Sequence, residues 1–279
     1  MTHSSSRRSS KKYDRRRSSN KRSSKHSSNR KHHSSNKHRS SNKSNKSKKH
    51  SNRHKKKYIP INHPKDLNNS ESRILPRNFN VNVVHTNPYI LNMENFVKPD
   101  EVKELIRLGY ERGFERSNVL IDGELYYSNN RTSLTSYLLE DGLPYIYSKP
   151  IERLIKRICY VMNCKRSYIE NLMMVKYEES KEAYFGNHVD YFDSDEVVDV
   201  EGSQRIATFF VYLNTLEEED GGKTEFPQLG VKCRPVKGSA SFWWNRKNGK
   251  MLPETEHRGN PVKKTKYGLN VWIRNKSFY

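Results

Sequence analysis

The division of this 279-residue chain into two unlike parts most constrains how it can fold. Residues 1–57 hold 22 of the 53 lysines and arginines and a single acid, Asp14. They therefore carry +21 of the formal +22, and the remaining 222 residues are almost neutral. The segment is built from Ser, Arg, Lys, Asn and His, and its only large apolar or aromatic residues are Met1 and Tyr13. So little apolar surface cannot offset chain entropy, and the expectation is a disordered basic tail. Its charge suits a polyanion such as RNA, DNA or an acidic surface. No aromatic residues are interleaved to stack on bases, which argues against base readout.

Residues 58–86, with Pro60, Pro64 and Pro76 among polar residues, read as a linker. Residues 87–279 are long enough for one core and read as a single domain. The positive N-terminus is not followed by an apolar stretch, and no run of about 18 apolar residues exists. Cys159, Cys164 and Cys233 are few and odd in number. Reduced thiols in an intracellular protein are expected, with the cytoplasm, nucleus or a virion as its compartment.

Two helices lead the domain. Pro99 and Asp100 suit a first turn, and Val102, Leu105, Ile106 and Leu108 supply an apolar stripe across 98–113. Ile151, Leu154, Ile155, Ile158 and Val161 recur at helical spacing across 150–162. From 171 the pattern changes to short strands at 172–177, 188–192, 206–213, 239–244 and 268–273, separated by glycine and proline turn signals. Short strands behind leading helices predict a mainly β, α+β domain, a barrel or sandwich backed by helices.

The chemistry lies in Asn187-His-Val-Asp-Tyr-Phe192 and Glu256-His-Arg-Gly-Asn-Pro261. Two imidazoles and a carboxylate, His188, Asp190 and His257, are the facial ligand set of a mononuclear non-haem Fe(II) site, which leaves positions open for a co-substrate and O₂. Strand alternation would turn His188 and Asp190 to one face, with His257 on a neighbouring strand. Nine residues on, Lys266 offers a cation for the far carboxylate of 2-oxoglutarate.

From about residue 87 onward the chain resembles the Fe(II)/2-oxoglutarate prolyl 4-hydroxylases, in the compact single-domain form of algae, plants, bacteria and large viruses. The similar pieces are Asn95-Phe-Val97, Arg131-Thr-Ser133, Val175-Lys-Tyr177, the His188 and His257 segments, Arg205 to Asn214, Gly221 to Pro227, Val231 to Trp243, and Trp272-Ile-Arg274. The resemblance implies a double-stranded β-helix (jelly roll) with the N-terminal helices packed on one sheet. It implies Fe(2+), 2-oxoglutarate as co-substrate and L-ascorbate as reductant, and a procollagen-proline 4-dioxygenase-like activity that releases succinate and CO₂. His188, Asp190 and His257 fall on the family's iron ligands, Lys266 on its 2-oxoglutarate lysine, and Tyr177 and Thr224 on positions lining that co-substrate. The implied substrate is a peptidyl proline in an extended, proline-rich segment, with Arg131, Ser133, Arg205 and Trp243 as candidate contacts. Each has a plain alternative: ion pairs for the arginines, core packing for the tryptophan.

The sequence departs from the family in two places. The loop before Lys266 is one residue shorter than usual, so Lys263 and Lys264 compete for its role; strand parity favours Lys266, which shares a face with Gly268, Asn270 and Trp272. Lys223 stands where glutamate is common. Residues 115–133 and the acidic 193–202 read as mobile covers of the site. Competing readings are an oxygenase acting on lysine or on nucleic acid, and an inactive barrel tethered to a polyanion by its tail.

Overall fold

The computed structural model describes residues 75–121, 124–138, 148–192 and 203–277. The basic tail, the linker as far as residue 74 and the acidic 193–202 lie outside them. The strands are β1 Asn80–Thr86, β2 Tyr89–Glu94, β3 Glu115–Arg116, β4 Val119–Ile121, β5 Glu124–Tyr126, β6 Leu134–Tyr137, β7 Met173–Tyr177 and β8 Phe185–His188. They continue with β9 Arg205–Tyr212, β10 Thr224–Phe226, β11 Val231–Cys233, β12 Ala240–Trp244, β13 Arg246–Lys247, β14 Lys250–Met251, β15 His257–Gly259 and β16 Lys266–Arg274. The helices are α1 Pro99–Arg112 and α2 Lys149–Met162.

Eight strands form one antiparallel sheet in the order β1-β2-β12-β9-β16-β7-β6-β3, and four form a second in the order β11-β10-β15-β8. The two faces of the large sheet have separate partners. Phe209, Val211, Leu269, Val271, Ile273 and Met174 pack with the apolar stripes of α1 and α2. Their sequence neighbours Phe210, Tyr212, Trp272, Met173 and Val175 point the other way, against Phe226 and Cys233 of the small sheet. The period-2 alternation of β7, β9 and β16 thus separates a helix-backed face from an inner face between the sheets. This is the jelly roll expected from the resemblance.

Both helices form where their stripes and ends require. In α1, Pro99 opens the first turn and Glu101 accepts a 2.9 Å bond from the Lys98 N–H, satisfying one of the free amides of the helix start. In α2, Ile151, Leu154, Ile158 and Val161 are each at most 2% exposed. Burying side chains of this size contributes about 1.5–3 kcal/mol apiece. Asn163, in the left-handed region at φ 48°, ends the helix. Where the helices meet, Arg157 donates to both Glu101 oxygens at 2.8 and 3.0 Å and to the Phe96 carbonyl at 2.9 Å. Removing either partner would take the bidentate bond from a buried charge.

Two expectations need correction, the linker bounds and the strand at 188–192. The linker reading of 58–86 extends too far, because Asn80–Thr86 is β1, paired antiparallel with β2. Only Val81 and Val83 alternate with polar residues at its start, and this short signal gains strand character from pairing with β2. Residues 115–133, expected as a cover of the site, contain β3 and the β4–β5 hairpin, and β3 pairs with β6. The strand expected at 188–192 lies earlier, at Phe185–His188. Its pairing with β15 ends at His188↔His257, and Asp190 then turns towards Thr208 of the large sheet.

Candidate active site

β8 and β15 lie side by side, and His188 is directly opposite His257 in their register. Their rings are 4.2 Å apart between centroids. His188 and Asp190 do not share a strand face as alternation suggested: Asp190 lies in the turn beyond β8 and returns to the histidines through its bond with Thr208. The Asp190 Oδ2 to His257 Nε2 distance is 3.7 Å, and one ligand atom from each of the three residues falls within 4.8 Å of the others.

Hydrogen bonds set the histidine tautomers. Nδ1 of His188 is 2.8 Å from the Gly186 carbonyl, and Nδ1 of His257 is 3.0 Å from the Thr255 carbonyl. A carbonyl only accepts, so in both rings Nδ1 carries the proton and Nε2 keeps its lone pair. His188 stacks on Phe185 at 3.6 Å, and His257 packs against Trp243 at 4.6 Å and Phe226 at 5.6 Å. Burial, reinforced by His257, pushes the His188 pKa down to about 3, so the ring is neutral and basic towards a metal. Burial alone would raise the Asp190 pKa, but His257, His188, Arg205 and the Thr208 hydroxyl together hold it below the usual carboxylate range. Two imidazoles and an ionised carboxylate converging at this separation fit a divalent first-row metal.

Behind the triad the pocket continues between the sheets to Lys266. Lys266 is 1% exposed, and its Nζ donates to the Gly222 carbonyl at 2.6 Å. The rings of Phe210, Tyr177 and Tyr212 surround the ammonium at 4.9, 5.1 and 5.6 Å. Among the described residues no carboxylate pairs with it, and burial pushes its pKa down to about 7. Gly222 has φ 69°, and a Cβ there would meet the Leu216 side chain at 2.6 Å, so glycine suits the turn that presents this carbonyl. Tyr177, opposite Lys266 in register, and Thr224, held by the Tyr212 hydroxyl at 2.9 Å, also line the pocket.

The competitors of Lys266 lie elsewhere. Lys264 pairs with Asp220 at 3.0 Å, and Lys263 is exposed. Lys223 pairs with Glu218, outside the pocket lining.

The four candidate substrate contacts fare differently. Arg131 lines the pocket with its guanidinium 4.7 Å above Phe185, and it donates to the Asn118 carbonyl at 2.8 Å. Burial lowers its pKa, since no carboxylate among the described residues pairs with it. Ser133 is buried outside the lining, bonded to Ser117 and 3.4 Å from Arg131 Nε. Arg205 forms the ion pair of its alternative reading: it donates to both Glu170 oxygens at 2.7 and 2.8 Å and stacks on Trp272 at 3.5 Å. Arg274 shares the same carboxylate. Trp243 belongs to the core and lines the pocket, with its indole N–H buried and unpartnered among the described residues.

Asn270, on the face of Lys266, also lines the site, as does Phe210, and Thr208 bonds Asp190; the sequence had not marked Thr208 or Phe210. A signal was present: Thr208 is a polar residue on the same strand parity as Phe210 and Tyr212, inside an otherwise apolar run.

Comparison with known proteins agrees with this geometry. Residues 172–274 match the model of the 2OG-Fe(II) oxygenase superfamily. Human prolyl 4-hydroxylase subunit alpha-3 is 28% identical over 214 residues, which is 74% of this chain but 37% of the human protein. Probable prolyl 4-hydroxylase 10 of Arabidopsis thaliana is 29% identical over 217 residues, 70% of this chain and 71% of the plant protein. In structure, the viral collagen prolyl hydroxylase of Paramecium Bursaria Chlorella virus-1, solved as a 2OG complex, superposes with a TM-score of 0.52 at 27% identity, covering 66% of this chain and 95% of the viral one. With its ligand triad, its buried lysine and its two-sheet scaffold, the chain is similar to the prolyl 4-hydroxylases, and its residues 172–274 match the 2OG-Fe(II) oxygenase superfamily.

Proposed function

We propose that the protein is an Fe(II)- and 2-oxoglutarate-dependent dioxygenase that converts peptidyl proline to 4-hydroxyproline, with release of succinate and CO₂. The observation that carries this reading is the placement of His188, Asp190, His257 and Lys266 in one pocket between the sheets. His188, Asp190 and His257 would hold the iron. Lys266, with Tyr177 and Thr224, would hold the far carboxylate of 2-oxoglutarate: a compact ammonium suits one carboxylate oxygen, and two hydroxyls add neutral bonds. Bound Fe(II) with its co-substrate supplies an oxidant strong enough to attack an unactivated C–H bond. The chain's own part is to hold the ligands, neutralise the dicarboxylate and keep the pocket dry with Phe210, Trp243 and Trp272.

Arg131 is the favoured substrate contact, because it combines burial in the pocket wall with a charge that no carboxylate neutralises among the described residues. A guanidinium so placed suits the carbonyl of an extended peptide. Arg205, held by Glu170, would act indirectly by supporting Trp272. Ascorbate is proposed as the reductant. Among the described residues no helix is long and apolar enough to cross a membrane. The test is turnover with Fe(II), ascorbate and 2-oxoglutarate against proline-rich peptides, lysine peptides and methylated oligonucleotides. Succinate that rises only with proline peptides, with one added oxygen on proline by mass spectrometry, supports the reading. Turnover with one of the other substrates alone would replace it.

A further inference from the structure

The Asp190 carboxylate is held by more than its own turn. Its Oδ2 accepts a 2.7 Å hydrogen bond from the Thr208 hydroxyl, and Thr208 Oγ1 in turn lies 2.9 Å from the Asn245 side-chain nitrogen. Thr208 and Asn245 have no solvent exposure, and Asp190 has 7%. The direction of these bonds follows from donor counts. An ionised carboxylate only accepts, so the single Thr208 proton is committed to Asp190. Thr208 can then only accept from Asn245, which fixes the amide with its NH₂ towards the hydroxyl. At the opposite end, Asn245 Oδ1 is buried with no hydrogen-bond partner among the described residues. A buried unpartnered acceptor costs about 1–3 kcal/mol, so the orientation is held against a penalty.

Asn245 also reaches the other arm of the site through its main chain. Its N–H donates to Ile206 at 2.8 Å, and its carbonyl accepts from Leu252 N–H at 3.0 Å. The Leu252 carbonyl takes the Thr255 N–H at 3.0 Å and the Thr255 hydroxyl at 2.7 Å, and the Thr255 carbonyl takes His257 Nδ1–H. One residue at the end of β12 therefore ties together the carboxylate and a histidine that are 67 positions apart in sequence.

We infer that Asn245 and Thr208 form a positioning relay, Asn245 to Thr208 to Asp190, which sets the carboxylate's orientation for the metal. The inference rests on the metal-site reading above. Neither residue touches the reacting atoms; each acts through Asp190. Outer hydrogen-bond partners of this kind typically account for about 10–100-fold in metal affinity.

The experiment is a Co(II) titration of the full chain, followed by the visible d–d absorption, which reports coordination independently of turnover. Thr208→Val keeps the shape and removes the donor; it should weaken Co(II) binding by about 10–100-fold and shift the absorption band. Thr208→Ser should restore both. Asn245→Ala should weaken binding in the same direction, and the double variant should be no weaker than Thr208→Val alone, because the two act in series. Unchanged affinity in Thr208→Val, or fully additive losses in the double variant, would overturn the relay. Should Thr208→Val fail to fold by circular dichroism, Thr208→Ala and Thr208→Ser take its place: equal Co(II) affinity in those two overturns the relay, and a serine-only recovery supports it. A wild-type chain that binds no Co(II) would instead refute the metal site itself.

Discussion

Replacing Lys266 by Met should separate stability from function in opposite directions. Burial lowers the Lys266 pKa from 10.5 to about 7, so between these values the unfolded chain binds a proton that the folded chain releases. Stability must therefore rise with pH across that window and level off on either side. Each unit of difference corresponds to about 1.4 kcal/mol, so at pH 7, where the folded lysine is half protonated, the buried amine costs about 4 kcal/mol. Methionine has a similar length without the charge. It does lose the bond to the Gly222 carbonyl, worth about 1 kcal/mol, which leaves a net gain of about 2–3 kcal/mol. For a folded body of this size that is a rise in Tm of about 4–10 °C at pH 7, fading as the pH approaches 10. The same change should weaken 2-oxoglutarate binding by about 10–100-fold, the loss of a charge-assisted bond. Urea unfolding at pH 6.5, 8 and 9.5 reads the first effect, and calorimetry with Ni(II)-loaded protein reads the second. A variant less stable than wild type at every pH, with unchanged 2-oxoglutarate affinity, would refute both the burial argument and the assigned role.

His188→Ala should abolish metal uptake and turnover while leaving circular dichroism unchanged; iron retained at full stoichiometry by elemental analysis would contradict the triad. Arg157→Ala should destabilise the fold by about 3–5 kcal/mol in denaturant unfolding, since it removes the buried partner that bonds both Glu101 oxygens and leaves that carboxylate only the longer 3.6 Å contact with Arg153. Arg131→Gln should raise KM for a proline-rich peptide more than it changes KM for 2-oxoglutarate, and the reverse pattern in steady-state kinetics would move Arg131 to the co-substrate. Deleting residues 1–57 should leave peptide hydroxylation intact and remove salt-sensitive binding to RNA in a filter assay; lost turnover would show that the catalytic body needs the tail.

Local regularities were readable in the sequence because their cause is local. The stripes of α1 and α2 follow from the 3.6-residue period, and the parity of Lys266 with Gly268, Asn270 and Trp272 follows from strand alternation. Parity separates Lys266 from Lys263 but not from Lys264, which precedes β16 and pairs with Asp220 outside the pocket. The ligand residue types were also visible, since His188, Asp190 and His257 carry metal chemistry wherever they lie. Long-range pairing was not readable. β1 is a strand because β2 lies beside it, and its own residues signal this only weakly. The end of β8 depends on where β15 stops pairing, and Asp190 is oriented by Thr208, 18 positions away.

Sequence alone determined the composition of the site, its two imidazoles, its carboxylate and its lysine, and the division between a basic tail and a nearly neutral body. Only the tertiary structure decided that Arg205 pairs with Glu170 while Arg131 finds no carboxylate among the described residues, and that Lys266 loses its ordinary pKa. The physical reason is that solvation and hydrogen-bond partnership depend on which strands become neighbours, and strand pairing joins residues that the chain keeps far apart.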